Sequence, residues 1–416
     1  MTHPSLPELI HVFARIGILS FGGPAAQISL MHKELVDDRD WLSNDTFLRA
    51  LSLCMLLPGP EAMQLATYAG WRLRGTIGGL IAGGLFVLPG AVVIMALALA
   101  YAHYGQIPWV QAAFLGVKAA VIIIVMQALS KVSQRALHTP LDWALAAGAF
   151  VALFLVGAPY PLIILTAGVL GALFRAQPPV TPPPQSAPRA HPGRIIAIWG
   201  TLWLAPLALL AVLDQAFLLD IGLFFSKLAV VTFGGAYAVL AYMTQSIVSD
   251  FGWISTAQMI DALGLAETTP GPLILVTQFV AMLAGFLEQG AGLAVAAGVV
   301  ALWVTFVPCF LWIFLAGPYL DDIASHPRIA GALAAITAAV VGVIVNLALW
   351  FARHVWFYEN GSPQAMWWPD IAHFNLTAIA LTAVAAVLLL WFKRGIVQVL
   401  AIMALAGILL GIMGPA

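Results

Sequence analysis

Two kinds of chemistry-bearing residue recur in this chain at one spacing. Arg15 stands six residues before Phe21-Gly22-Gly23, and Lys227, 212 positions later, stands six residues before Phe233-Gly234-Gly235. Pro58-Gly59-Pro60 and Pro270-Gly271-Pro272 are separated by the same 212. Proline removes an amide donor and clashes with the turn before it, and glycine relaxes the backbone, so each motif should break a helix. A helix that restarts after a break presents free N–H groups and the positive end of its dipole, which suits an anion. Arg15 and Lys227 would add positive charge beside the Gly-Gly breaks, or simply snorkel to an interface. Lys118 lies in the middle of the apolar run Phe114–Leu129, where a lone ammonium costs at least ~2.5 kcal/mol, and reads as an anion ligand or counter-charge.

Two carboxylates flank the Pro-Gly-Pro motifs. Glu61 follows the first directly, and Glu267 stands three residues before the second. Gln64 lies one turn beyond Glu61 on the same helix face. A carboxylate at a helix start is an ordinary dipole partner; the functional reading is a proton carrier. Nothing resembles nucleophilic catalysis: there is no Gly-x-Ser-x-Gly elbow, His-Glu-x-x-His run or Walker loop. No histidine pair has metal-ligand spacing on one helix, and Cys54 and Cys309 lie in apolar segments, so neither a metal, a cofactor nor a disulfide is expected. Without a nucleotide site, any work must draw on gradients. The 17 basic residues are scattered, which argues against nucleic acid as a partner.

Composition says what positions these residues. Of 416 residues, 62% are hydrophobic and 8% charged, against roughly 25% charged in a soluble domain. The apolar residues form runs such as Gly78–Tyr101, Leu141–Pro161, Ile195–Leu213, Leu293–Ala316 and Ile371–Phe392, each near the ~20 residues that cross a bilayer as a helix. Run length and the lack of period-2 alternation favour helices over a barrel. The expectation is an all-α, polytopic membrane protein. Residues 1–8 lack the basic start and apolar run of a cleaved signal, so the first membrane segment is expected to direct insertion.

The 212-residue offset extends well beyond the motifs. Between Phe13 and Pro60 the match to the second copy needs no gap, and it pairs Asp38 with Asp250, Trp41 with Trp253 and Ser43 with Ser255. With small insertions, Leu88-Pro89 then meets Val307-Pro308, and Ala119-Ala120-Val121 meets Ala338-Ala339-Val340. Two homologous repeats follow. Four segments are expected: a first repeat over 1–175, a proline-rich cytoplasmic linker over 176–193, a linking span over 194–214 and a second repeat over 215–416.

Basic connections at Arg72/Arg74, Lys131/Arg135, Arg175–Arg194 and Lys393/Arg394 are placed in the cytoplasm. The first repeat then starts inside, with spans near 9–30, 43–73, 76–102, 107–130, 140–157 and 159–174, followed by 195–213. The second starts outside, with spans near 217–245, 255–286, 291–316, 329–352, 371–392 and 396–413. This makes about 13 spans and two halves of opposite orientation, the arrangement of many secondary transporters. The Gly-Gly and Pro-Gly-Pro segments are alternatively re-entrant, which leaves the relative inversion intact.

Phe21-Gly-Gly-Pro24, Leu57-Pro-Gly-Pro-Glu61-Ala-Met-Gln64, Gly70-Trp-Arg-Leu-Arg-Gly75 and Phe86-Val-Leu-Pro-Gly90 together resemble the chromate ion transporter family in its long, two-domain form. So do Phe233-Gly-Gly-Ala-Tyr237 and Glu267-Thr-Thr-Pro-Gly-Pro272 in the second half. The resemblance implies chromate efflux and resistance in the bacterial inner membrane. The site would gather Gly22, Gly23, Pro58, Gly59, Pro60, Gln64, Gly234, Gly235, Pro270, Gly271 and Pro272, with Arg15, Lys118 and Lys227 nearby and Glu61 or Glu267 as proton-coupling groups. Membrane potential, proton antiport or both would drive it. The competing readings are uptake or exchange of sulfate-like oxyanions, a membrane-embedded enzyme, and a non-transporting membrane protein. Besides the oxyanion and the lipid, a homodimer partner stays open.

Overall fold

A computed structural model of the chain describes residues 4–174, 191–233, 236–319, 326–357 and 374–413, and these residues are helical apart from turns and one isolated bridge between Phe357 and Phe374. Residues 176–190 of the expected linker, the start of the 371–392 segment, and Gly234 and Gly235 lie outside the described residues.

The first half carries α1 (Leu6–Leu19), α2 (Gly23–His32), α3 (Asn44–Leu56), α4 (Glu61–Tyr104), α5 (Pro108–Ala136), α6 (Pro140–Phe154) and α7 (Tyr160–Phe174). Helix α8 (Pro192–Val212) links it to α9 (Ala216–Val231), α10 (Ala236–Gln245), α11 (Thr256–Glu267), α12 (Val276–Gln289), α13 (Ala291–Ala316), α14 (Pro327–Trp356), α15 (Leu376–Ala386) and α16 (Ile396–Met413). Among the described residues, five helical stretches are long and apolar enough to cross a bilayer: Glu61–Tyr104, Pro108–Ala136, Pro192–Val212, Ala291–Tyr319 and Pro327–Trp356. Large apolar side chains such as Leu155, Leu173, Val212, Leu405 and Ile412 stay exposed, as a lipid-facing surface requires.

Positions aligned by the offset take the same local structure. Ser43 and Ser255 are both N-caps, accepting from the amides of Thr46 and Gln258. A π-helical turn follows both α2 (Lys33–Asp37) and α10 (Ser246–Asp250). Helix α4 is two arms joined at Arg74 and Gly75, where Gly75 takes φ 63° and ψ −157°. Gly290, between α12 and α13, takes φ 83° and ψ −165°. Each glycine adopts backbone that a β-carbon disfavours, and each turns the chain back on itself. The arms of α4 touch at Gly70 and Gly78, where a β-carbon on either would lie 2.2 Å from the other's carbonyl oxygen.

The chain also folds back at the Gly-Gly breaks. Arg15 and Glu34 form an ion pair at 3.5 Å, whereas nineteen residues of continuous helix would hold them about 28 Å apart. Phe217 and Trp253, at the two ends of the corresponding second-half segment, have ring centroids 6.0 Å apart. The α11–α12 segment behaves alike: Asp261 and Phe279 both contact Tyr101.

Packing crosses between the halves. Helix α5 lies on α11, α14, α15 and α16, and α14 lies chiefly on α6, α7 and α5. These contacts are backbone-close. A β-carbon on Gly116 would sit 1.8 Å from the Met403 carbonyl oxygen, and one on Gly342 would sit 2.0 Å from that of Ala146.

Candidate functional site

The helix breaks meet at the centre of the fold. At the end of α1, the Ser20 hydroxyl bonds back to the Ile16 carbonyl at 2.6 Å; at the end of α9, the Thr232 hydroxyl does the same to Leu228, also at 2.6 Å. Their own backbone carbonyls, released by the break, are taken up by the opposite half. The Gly59 amide donates to the Thr232 carbonyl at 2.8 Å, and the Gly271 amide donates to the Ser20 carbonyl at 2.9 Å. Each Pro-Gly-Pro loop is therefore tied to the other half's Gly-Gly break. This consumes one amide per motif, because buried backbone groups must be paired.

Buried amide side chains brace the crossing. Gln27 donates to the carbonyls of Gly271 (2.6 Å) and Ser20 (3.3 Å), and Gln64 donates to that of Pro58 (2.7 Å). Their Oε1 atoms are buried with no hydrogen-bond partner, as is that of Gln278, which donates to the Ala91 carbonyl. A helix of the opposite half packs tightly on each loop, α4 on the second and α13 on the first. A β-carbon on Gly90 would lie 2.2 Å from the Pro270 carbonyl oxygen, and one on Gly59 would lie 2.9 Å from the Cys309 sulfur.

Gly22, with φ 87°, is the N-cap of α2; Pro60 is the N-cap of α4; Pro272 is the N-cap of the short 3-10 turn Leu273–Leu275. None has a side-chain cap. Gly23 continues the left-handed turn at φ 78°. The first-turn amides at these starts are the groups an anion would use. Glu61, half-buried, is the first residue of α4. Glu267, at the end of α11, is buried and accepts the Tyr237 hydroxyl at 2.6 Å.

The three expected cations all have partners. Arg15, half-exposed, pairs with Glu34, a buried carboxylate that Arg39 also holds. Lys227 lies over the Tyr242 ring, 5.6 Å from its centroid. Lys118 pairs with Asp261 at 3.4 Å, and Tyr101 donates to the other carboxylate oxygen at 2.8 Å. Arg15 and Lys227, aligned by the offset, both reach back to the chain that returns after the Gly-Gly break.

Sequence reasoning passed over Ser20, Gln27, Tyr101, Thr232, Tyr237 and Asp261. The hydroxyl pair Ser20 and Thr232 was within reach, since the offset aligns the two. Asp261 aligns with Arg49, so the repeat offered no reason to notice it. Among the described residues no group of three His, Cys, Asp or Glu side chains could hold a metal.

Long apolar helices and an apolar exterior define a multi-pass α-helical membrane protein. The chain belongs to the chromate transporter family, which matches residues 7–172 and 219–412. It is 31% identical over 350 residues to the chromate transport protein of Cupriavidus metallidurans, covering 84% of this chain and 83% of that protein. It is 33% identical over 360 residues to the probable chromate transport protein of Synechococcus elongatus, covering 83% and 86%. To the chromate transport protein of Pseudomonas aeruginosa it is 33% identical over 349 residues, covering 82% and 79%. No solved structure matches the chain. The family is one of transporters, not of enzymes.

Proposed function

We propose that this protein exports chromate from the cytoplasm across the bacterial inner membrane by alternating access of two inverted halves, and so confers chromate resistance. The observation that carries the reading is the reciprocal pair of backbone bonds, Gly59 to Thr232 and Gly271 to Ser20. Two-fold related contacts at broken helices are what a central site opened in turn to either side requires.

Inversion is supported by the position of two equivalent turns. Arg74, beside the Gly75 turn, donates to the Pro4 carbonyl at one end of the second arm of α4. Phe286, one turn before Gly290, packs on His103 at the other end, with centroids 4.8 Å apart. That arm, residues 76–104, is about 43 Å long, so the two turns lie on opposite faces of a bilayer. Segments 9–30, 217–245 and 255–286 fold back within the membrane in this reading, and 43–73 does so by its correspondence to 255–286. Thirteen then counts inserted segments and not crossings.

The substrate sits at the break, near the first-turn amides at Gly23, Glu61 and Leu273, with Arg15 and Lys227 preceding the Gly-Gly breaks and Lys118 acting elsewhere along its path. A dianion leaving an inside-negative cell gains about 4.6 kcal/mol per 100 mV, twice the ~2.3 per elementary charge. That sustains a concentration ratio on the order of a thousandfold, so membrane potential suffices and proton exchange through Glu61 or Glu267 is an addition. Chromate flux in everted vesicles, with the potential and the pH gradient collapsed separately, tests the scheme. Flux is expected to fall with the potential; flux indifferent to both would exclude it, and sulfate that moves while chromate does not would reassign the substrate.

A further inference from the structure

A cleft of about 780 Å³ lies away from the crossing, between the start of α11, the first third of α5 and the end of α14. Lys118, Ser255, Thr256, Ala257, His354 and Asn375 are among its walls. It is more than large enough for a hydrated tetrahedral oxyanion. Lys118 is the cation at its edge, with its side chain one-fifth exposed, and its charge is met by Asp261, which is 4% exposed.

The Lys118–Asp261 pair is built unevenly. Oδ2 of Asp261 is held by the Tyr101 hydroxyl at 2.8 Å. Tyr101 is itself fixed edge-on against Phe114, with centroids 5.2 Å apart, and tilted against Phe279 at 5.5 Å. Oδ1, the oxygen that faces Lys118 at 3.4 Å, is buried and has no partner besides that long contact. A structural ion pair in a low-dielectric setting needs its remaining lone pairs satisfied to repay desolvation. Here one carboxylate oxygen is anchored, while the other rests against the ammonium beyond good hydrogen-bond length.

We infer that Lys118 is a second oxyanion-docking position, in a cleft distinct from the helix breaks, and that Asp261 is its tethered competitor. The inference rests on the proposed transport function and deepens it. An oxyanion entering the cleft displaces Asp261 from Lys118 and takes its place beside the ammonium. Asp261, kept within reach by Tyr101, then returns and expels it. A docking lysine with no such rival would hold a dianion too long for rapid passage. In the proposed topology the cleft opens on the outer face, because it lies with the start of α5 and the end of α14, so the competition acts at release. The repeat partner of Lys118 is Thr337, and that of Asp261 is Arg49, so the device belongs to one side only.

The test uses the purified full-length chain, with chromate and sulfate as probes, measuring anion affinity by intrinsic tryptophan fluorescence and turnover in proteoliposomes. Asp261→Asn should bind chromate about tenfold more tightly and turn over more slowly. Tyr101→Phe, which keeps the ring contacts and frees the carboxylate, should move both quantities from wild type in a graded way. Lys118→Met should lose the tighter binding, and Lys118→Met/Asp261→Asn should resemble Lys118→Met alone. If wild type transports chromate but Asp261→Asn binds it no more tightly, or if the neutral double variant transports like wild type, the pair is merely structural and the inference is overturned. A wild-type chain that moves neither anion overturns the proposed function, and the inference with it.

Discussion

The backbone amide of Gly59 is bonded to the carbonyl of Thr232 at 2.8 Å, which joins the first Pro-Gly-Pro loop to the end of α9 in the other half. Gly59 takes φ 123°, and a β-carbon there would meet Gln64 Nε2 at 2.8 Å and Cys309 Sγ at 2.9 Å. Gly271 takes φ 86° with its nearest contact at a looser 3.2 Å. Gly59→Ala should therefore cost about 1–3 kcal/mol from strain alone and abolish chromate flux. Gly271→Ala should be milder in both respects. Melting temperature in detergent and vesicle flux, compared across the two variants, read the ranking; equal effects would contradict it.

Opposed halves can be probed at the two hairpin turns. Cysteines placed at Thr76 and at Gln289 should react with a membrane-impermeant maleimide from opposite sides, Thr76→Cys in everted vesicles and Gln289→Cys in intact cells. Cys54 and Cys309 are buried and should contribute little background. Labelling of both positions from one side would rule out inversion.

Glu267 and Tyr237 are joined by a 2.6 Å bond within the buried region. Glu267→Gln preserves an acceptor for the tyrosine and should leave the fold intact. If Glu267 carries a coupling proton, this variant should keep potential-driven flux and lose the part that responds to an imposed pH gradient. A variant whose pH-gradient response matches wild type removes Glu267 from the coupling scheme.

Arg15 is half-exposed, and Glu34 retains Arg39 when Arg15 is removed. Arg15→Ala should therefore change stability by less than about 1 kcal/mol, because solvent screens the half-exposed Arg15 and the buried Glu34 keeps its shorter pair with Arg39. Its effect should appear as a severalfold rise in the chromate concentration giving half-maximal flux. An unchanged half-saturation value would mean that Arg15 serves only the Glu34 cluster.

Gly116→Ala and Gly342→Ala should each destabilise the protein by roughly 1–3 kcal/mol, the usual range for overpacking. Each added methyl would press on a carbonyl, that of Met403 or that of Ala146, contributed by the opposite half. Thermal unfolding of the two purified variants is the measurement, and a matched loss is expected.

Helix content and the location of the breaks were legible in the residues, because long apolar runs and Gly/Pro clusters act locally. The aligned caps Ser43 and Ser255 and the turns at Gly75 and Gly290 follow from short-range backbone rules. What each break touches was not legible. Gln27 reaches Gly271 across 244 residues, and Gly59 reaches Thr232 in the other half, and no periodicity encodes such a partner. Lys118 stood out as a charge in an apolar run, yet its partner Asp261 sits in a helix whose other half-copy carries Arg49, so comparison of the repeats pointed away from it. The Gly-Gly segments read as spans, with a return as the alternative; the Arg15–Glu34 contact shows that the first of them folds back on itself.

Helix α5 finds its packing partners in the second half, and α14 finds most of its own in the first. Neither half can complete itself, so severing the chain within residues 176–190 should yield fragments that are stable only when produced together. By the same logic, a lone copy of either half should be unable to bury its own faces and should need the other as a partner.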